Sequence, residues 1–503
     1  MPSTLPSLLA TGRTPTAQVQ PVESGKPSTL GPTLQVSAPQ RIDSGDTSQA
    51  VETAIAVGAG SPPHLVAGWN DLREHGSGNF WSLGVGVSLD GGVTWTDFLM
   101  ELAGNNVDLH EGDPMVLFEP LSGYLFVGGI RFSGHRVLFI SRKAAAATTF
   151  EPPVIINSGG FIDRAWLATG RDPGNPHTTL IHVAYNLGVQ TSDDFGATWG
   201  PVRSLELGLA QHPRVDRAGR LFLIDWDFDD GVRLQRSFDG GDTFLAPIEA
   251  ATRMDTWDTQ DGSRFPGQFR VGPLALLAMH PVSGTLYALY FDTTGIVGGN
   301  ADVDLYLTES SDLGVTWSTP MTVPSNLPGD QLFPWLEVDA AGRLHLMYFD
   351  GGSFTQNDDV ENGRFHVYYA LSLDGGSTWT TVQLTNTPIE SALSDWGSTM
   401  GQFLGDFVNL TVDGDRVYAV YPSTMNGDQD IVLQTIDIDS EGPIFIDGFE
   451  IGDTGRWSAA VPNDQASAAT IRSRSASGRD DAGPSPPGPT ATPPTDRRNR
   501  LSE

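Results

Sequence analysis

An eight-residue pattern, Ser-x-Asp-x-Gly-x-Thr followed by Trp or Phe, occurs five times in this chain. The copies run from Ser88 to Trp95, Ser192 to Trp199, Ser237 to Phe244, Ser310 to Trp317 and Ser372 to Trp379. Each has the makings of a hairpin corner. The Asp can accept hydrogen bonds from N–H groups of its own turn, the Gly supplies a positive φ, and the aromatic packs beneath the sheet as the next strand leaves. Repeated at intervals of several tens of residues, such corners mark a radial array in which each unit buries its faces against its neighbours.

Composition agrees with that reading. The 503 residues are 39% hydrophobic, enough for a large core, while 58 Gly and 35 Pro point to many turns and few long helices. A formal net charge of -32, from 61 acidic against 29 basic residues, opposes binding to nucleic acid or to anionic membranes, so neither partner is expected. The absence of Cys excludes a disulfide framework, a thiol nucleophile and a Cys-ligated zinc. No stretch approaches the roughly 20 continuous apolar residues of a spanning helix. The Ser/Thr/Pro-rich start lacks a basic segment and has only the short apolar run Leu5 to Ala10, so it does not read as a signal peptide.

Residues 1–32 read as a flexible leader. Thr33-Leu34-Gln35-Val36-Ser37 is like the short strand that follows each corner, such as Thr381 to Leu384, and is predicted to close the ring as the outermost strand of the last blade. Seven inner strands are expected to begin near Glu52, Asp113, Arg164, Arg214, Val271, Pro334 and Asp406, giving seven blades of roughly 60 residues over 33–439, with six blades as the alternative. Blade two carries a worn corner from Ser141 to Phe150, and blade seven has none. Residues 440–460 form a short C-terminal motif, Ile444 to Glu450 and Trp457, and 461–503 lack apolar periodicity and read as a disordered tail.

The five corners resemble the Asp box, or BNR repeat, of the sialidase superfamily. The resemblance covers 33–439 and implies an all-β propeller in which Asp90, Asp194, Asp239, Asp312 and Asp374 are structural Asp-box residues. Boxes then lie on one rim, and ligand chemistry is sought on the opposite face around the channel mouth. The segment from Ile444 resembles a signature of secreted bacterial proteins, which implies an extracellular or periplasmic location. The function implied is that of a sialidase-like, exo-acting glycoside hydrolase that engages a glycan at the channel mouth; the alternative is a non-catalytic secreted propeller that binds glycan or protein.

Sialidases grip the substrate carboxylate with three arginines, use an Asp as acid/base and pair a Tyr with a Glu as nucleophile. Carried onto this chain, the resemblance implies Asp71 as acid/base, Arg73, Arg164, Arg214 and Arg270 as substrate-binding residues, and Tyr421 with Glu52 as positions for the nucleophile pair. The chain departs from the family in two respects. Gln40-Arg41-Ile42-Asp43 lacks the aromatic and the proline of Phe/Tyr-Arg-Ile-Pro, and seven blades replace six.

The residues admit other readings. Strand ends carry Asn70, Asp71, Asn186, Asp225, Asp227, Asp292, Asp350 and Ser423, which either hold sugar hydroxyls, bind calcium or do acid/base work, or simply terminate strands. The arginines either form a carboxylate clamp or stitch blades through Asp–Arg pairs, as Asp163 beside Arg164 favours. Long loops at 251–272, with Trp257 and Phe269, and at 385–405, with Trp396, place aromatics on the channel side for sugar stacking or loop packing. No cofactor is expected apart from calcium, for which 300–304 and 357–361 are acid-rich without EF-hand spacing. His182 and His345 fall within strands and read as structural. The net charge favours neutral sugars or cationic partners over sialic acid, and a monomer is expected.

Overall fold

The computed structural model describes residues 32–439, apart from 44–47, 74–81, 101–110, 133–134, 148, 176, 207, 228–230, 254–268, 270, 273, 298–299, 325–326, 328, 353–362, 395 and 397–401. The leader to residue 31, the C-terminal motif and the tail lie outside the described residues, as do Arg270, Trp257 and the acid-rich 357–361.

Seven antiparallel sheets form a seven-bladed β-propeller. The inner strands are Ala50–Val57, Glu111–Glu119, Trp166–Arg171, Leu209–Val215, Ala275–Met279, Gln331–Val338 and Asn409–Asp413 for blades 1 to 7. Each packs against the next, and the seventh against the first, so the ring is closed. Blade 3 has three full strands, and a bridge between Val189 and Arg203 takes the place of its fourth. Closure follows the sequence expectation: Thr33–Val36 pairs with the third strand of blade 7, Asp430–Asp439, in the register Thr33 to Asp439 through Val36 to Ile436. A strand from one end of the chain thereby covers an edge at the other, and no bare ladder is left there.

Blades stack face to face, which explains the near-continuous apolar second strands. Leu65, Ala67 and Trp69 of blade 1 meet Tyr418, Val420 and Leu433 of blade 7; Met115 and Phe126 of blade 2 meet Ile181 and Tyr185 of blade 3. Both faces of these strands are buried, so period-two alternation is lost.

All five corners share one hydrogen-bond scheme. In the first, Ser88 Oγ donates to Asp90 Oδ1 at 2.8 Å and accepts from Gly92 N–H at 2.8 Å; Thr94 donates its N–H to Asp90 Oδ1 at 2.9 Å and its hydroxyl to Oδ2 at 2.6 Å. Asp194, Asp239, Asp312 and Asp374 repeat it. These bonds stabilise the ionised carboxylate, and they hold Asp90 and Asp312 down to about 2.

The Gly that precedes the x-Thr pair sits at φ +77° to +93° in every corner and faces the preceding blade. At Gly314, a Cβ would overlap Leu234 Cδ2 of blade 4. Gly314→Ala is therefore expected to cost about 2 kcal/mol through left-handed strain and overpacking together, read as a lowered denaturant midpoint. A loss under about 0.5 kcal/mol would show that the corner can shift freely. Two corners hold a non-glycine residue in the left-handed region, Phe195 at φ +58° and Leu313 at +66°. The carbonyl of each is tied to the preceding blade, Phe195 O accepting from Arg142 Nη1 and Leu313 O from Arg236 Nη1.

Candidate functional site

In four blades the inner strand starts with a non-glycine residue in the left-handed region: Glu52 at φ +55°, Asp113 at +52°, Arg164 at +50° and Phe333 at +49°. In blades 1, 2 and 6 these residues sit in a bulge, where the ladder register breaks between Val51 and Ala54, Gly112 and Met115, and Leu332 and Trp335. A bulge turns a side chain away from the ladder, and left-handed strain at non-glycine residues persists only where surroundings enforce it. Here three strained residues on consecutive blades are charged, and they meet.

The bonds among them close a cycle over blades 7, 1, 2 and 3. Asn70 Nδ2 donates to Glu52 Oε2 at 2.6 Å, and Asp406 N–H donates to Glu52 Oε1 at 3.1 Å. Asp113 N–H donates to Asn70 Oδ1 at 3.0 Å, and Arg164 N–H to Asp113 Oδ2 at 3.0 Å. Arg164 Nη2 completes the cycle, reaching across the ring axis from blade 3 to Asp406 Oδ2 of blade 7 at 2.8 Å. Gly272 at the start of blade 5 lies under this bridge. A Cβ there would overlap Arg164 Nη2 and stand 2.7 Å from Asp406 Cγ, so a side chain and the bridge exclude each other.

Glu52, Arg164 and Asp406 are 3%, 6% and 4% exposed, whereas Asp113 is half-buried. Among the described residues, Asp113 accepts one side-chain hydrogen bond, on Oδ2, and Oδ1 has no protein donor. Burial, with help from the negative charges of Asp163 and Asp406, pushes the Asp113 carboxyl up to about 7. The mouth thus holds a carboxyl raised well above its ordinary range beside an ion pair.

Beneath the cycle, aromatics from four blades block the axis. Trp166 lies with its ring centroid 5.5 Å from Trp335, 5.1 Å from His212 and 4.9 Å from Phe407. Burial keeps His212 neutral, and its Nδ1 accepts the Leu277 N–H at 3.1 Å. These rings close the axis beneath the cycle, and the cavity on their other side opens on the corner face.

Other residues singled out in the sequence lie elsewhere. Asp71 is 2% exposed, and its carboxylate receives Trp69 Nε1 at 2.7 Å, Arg73 N–H at 2.8 Å and Arg73 Nη2 at 2.7 Å. Arg73 also reaches Asp97 on the outermost strand of blade 1. Tyr421 is 1% exposed, its hydroxyl donates to Gln434 Oε1, and burial raises its pKa. Arg214 was expected at the mouth but lies at the other end of the inner strand, because blade 4 begins five residues earlier, at Leu209; it pairs with Glu337 at 2.8 Å. Arg73, Arg164 and Arg214 pair with different acids, Asp71 and Asp97, Asp406, and Glu337; the cycle at the mouth takes Glu52, Asn70 and Arg164 from the sequence candidates, while Asp71 and Arg73 pair apart from it. Asn186, Asp225 and Asp350 cap backbone or side-chain donors of their own blades. His182 is buried, and its pKa falls to about 4. Asp113, Asp406 and Gly272 were missed as site residues, although Asp113 and Asp406 were recognised as strand starts. The available signal was the proline or aromatic following these starts, in Asp113-Pro114, Phe333-Pro334 and Asp406-Phe407. Among the described residues no group of three or more His, Asp or Glu is arranged to hold a metal ion, and no helix is long and apolar enough to cross a membrane.

Two sets of carboxyls oppose one another in pH dependence. Asp113 and Asp430 are raised by burial, to about 7 and about 6, above the ordinary 3.8. Their contribution is fully present below pH 3.8 and is lost as pH rises through 6 and 7. The corner aspartates are lowered, so theirs is present above 3.8 and lost as pH falls through 2. Denaturant midpoints are expected to peak near pH 4 and to decline as pH rises toward 7. A midpoint still rising from pH 4 to 7 would contradict the raised values.

No protein-family model and no curated protein sequence matches this chain. Solved structures similar to it include a protein of unknown function from Dyadobacter fermentans, at 13% identity over 80% of this chain and 99% of that one, with a TM-score of 0.39. Trypanosoma rangeli sialidase in complex with 2,3-difluorosialic acid is 14% identical over 77% of this chain, with a TM-score of 0.39, and this chain spans 53% of its length. BP39L lectin from Burkholderia pseudomallei is 14% identical over 67% of this chain and 84% of that one, with a TM-score of 0.43. None of these likenesses bears on which residues here bind or react.

Proposed function

We propose that this propeller engages a glycan at the channel mouth and hydrolyses a glycosidic bond, Asp113 giving its proton to the leaving oxygen while water adds to the anomeric carbon and returns a proton to the Asp113 carboxylate. The observation that carries the reading is the convergence of Glu52, Asp113 and Arg164, each strained into the left-handed region, with Asp406 in one hydrogen-bonded cycle. A carboxyl near pKa 7 with a free oxygen is suited to protonate a leaving glycosidic oxygen. Its acidic neighbours favour a neutral or amino sugar over a sialoside. The Asp-box resemblance supports a sialidase-like scaffold with different chemistry at the mouth, since Asp71 and Tyr421 are saturated by their own neighbours.

The test is a panel of aryl glycosides. Asp113→Asn retains an acceptor for Arg164 N–H and is expected to lower turnover about 10²- to 10⁴-fold with little change in melting temperature. Absence of cleavage across neutral, amino and acidic glycosides would sink the enzymatic reading. The second reading, binding without cleavage, is favoured by the burial of Glu52, Arg164 and Asp406, and it predicts glycan retention on an array that weakens in Asp113→Asn.

A further inference from the structure

The opposite end of the axis carries charge of the other sign. Below the aromatic plug, the channel continues as a tunnel of about 350 Å³, where half-buried Val57, Val116, Phe118 and Leu167 alternate with polar groups such as Thr169, Asn409 and Thr411. At its outer end Arg214 of blade 4 and Glu337 of blade 6 meet at 2.8 Å. The same two residues line a vestibule of about 800 Å³ between the first hairpins of blades 4 and 5, so tunnel and vestibule are continuous.

Four arginines line that vestibule, Arg171, Arg214, Arg217 and Arg220, against two acids, Asp216 and Glu337. Both acids are already engaged, Asp216 by Arg220 at 2.5 Å and Glu337 by Arg214. Arg171 and Arg217 are exposed, and among the described residues their side chains make no ion pair or hydrogen bond. The hairpin between them is fixed: Asp216 Oδ1 accepts Ala218 N–H and Arg220 N–H, both at 2.9 Å, and Gly219, at φ +82°, lies so close to Arg171 O that a Cβ would overlap it. Two unneutralised guanidinium groups in a concave site are a local reversal in a chain of net charge -32.

We infer that this tunnel and vestibule form a second ligand site, distinct from the mouth, for a small amphiphilic anion whose apolar body enters the tunnel while its carboxylate, or an equivalent oxyanion, lies on Arg171 and Arg217. Guanidinium groups offer paired donors to such oxyanions, and the aliphatic and aromatic side chains along the tunnel give an apolar body surface to lie against. The plug sets the depth: Trp166 and Trp335 line the closed end. Glu337 competes with the ligand for Arg214.

The experiment titrates 4-phenylbutyrate, its neutral amide and inorganic sulfate into the full chain by calorimetry. The carboxylate is expected to bind at least tenfold more tightly than the amide or sulfate. The double variant Arg171→Ala/Arg217→Ala is expected to weaken 4-phenylbutyrate at least tenfold. Glu337→Gln, by releasing Arg214, is expected to tighten it severalfold. Thr411→Phe, which fills the tunnel from blade 7, is expected to weaken 4-phenylbutyrate and leave sulfate unchanged. Equal affinity for carboxylate and amide, or indifference to loss of the two arginines, overturns the site. Sulfate binding as tightly as 4-phenylbutyrate overturns the role of the tunnel.

Discussion

Replacing Gly272 by alanine is expected to destabilise the propeller by about 3 kcal/mol, a large effect for one methyl group. The new Cβ would occupy the space through which Arg164 reaches Asp406, and neither partner has somewhere better to go, being 6% and 4% exposed. Breaking a buried pair leaves uncompensated charge, which is why the cost exceeds that of a surface bridge. The mechanism has its own control. Arg164→Ala removes the obstacle together with the bridge, so the double variant Arg164→Ala/Gly272→Ala should be little less stable than Arg164→Ala alone. Additive losses would show that the methyl group acts elsewhere. The same substitution also tests the mouth, because displacing Arg164 disturbs the N–H that holds Asp113 Oδ2.

Lys143→Met should cost about 2 to 3 kcal/mol although it keeps the apolar stem. Blade 2 lacks the acid-and-glycine corner, and Lys143, fully buried at the end of its third strand, fills that role with reversed polarity. Its Nζ donates to the carbonyls of Ala144, Ala145 and Ala147 at 3.4, 3.2 and 3.0 Å, where the other corners gather N–H groups onto an aspartate. His64 Nδ1 also lies 2.8 Å from Ala145 O, joining the turn to blade 1. Methionine would leave those carbonyls without a cation, and chemical denaturation should report the loss. A change below about 1 kcal/mol would mean that water replaces the ammonium. Lys143→Arg, with donors at a different reach, should fall between the two.

Much of the architecture is legible in the sequence. The Ser-x-Asp corners specify their own hydrogen bonds within eight residues, so their geometry is local and repeats wherever the pattern does. Blade count and closure by Thr33–Val36 followed because each blade has its own apolar strands and the leader strand matches those that follow corners. The placement of Arg214 failed because a bulged strand start hides its register: blade 4 begins at Leu209, and a shift of five residues moves an arginine from one end of the axis to the other.

The chemistry of the axis is a different matter. Glu52, Asp113, Arg164 and Asp406 are separated by up to hundreds of residues, and nothing near each one names its partners. Ring closure alone sets blade 3 opposite blade 7, and only then does the Arg164–Asp406 bridge exist, with Gly272 beneath it and Asp113 desolvated beside it. The sequence by itself determined the corners, the blades and the acidity, because those depend on short-range bonding and composition. Tertiary structure decided which charges share a pocket and which face they serve, because electrostatic coupling depends on distance and burial and not on position along the chain.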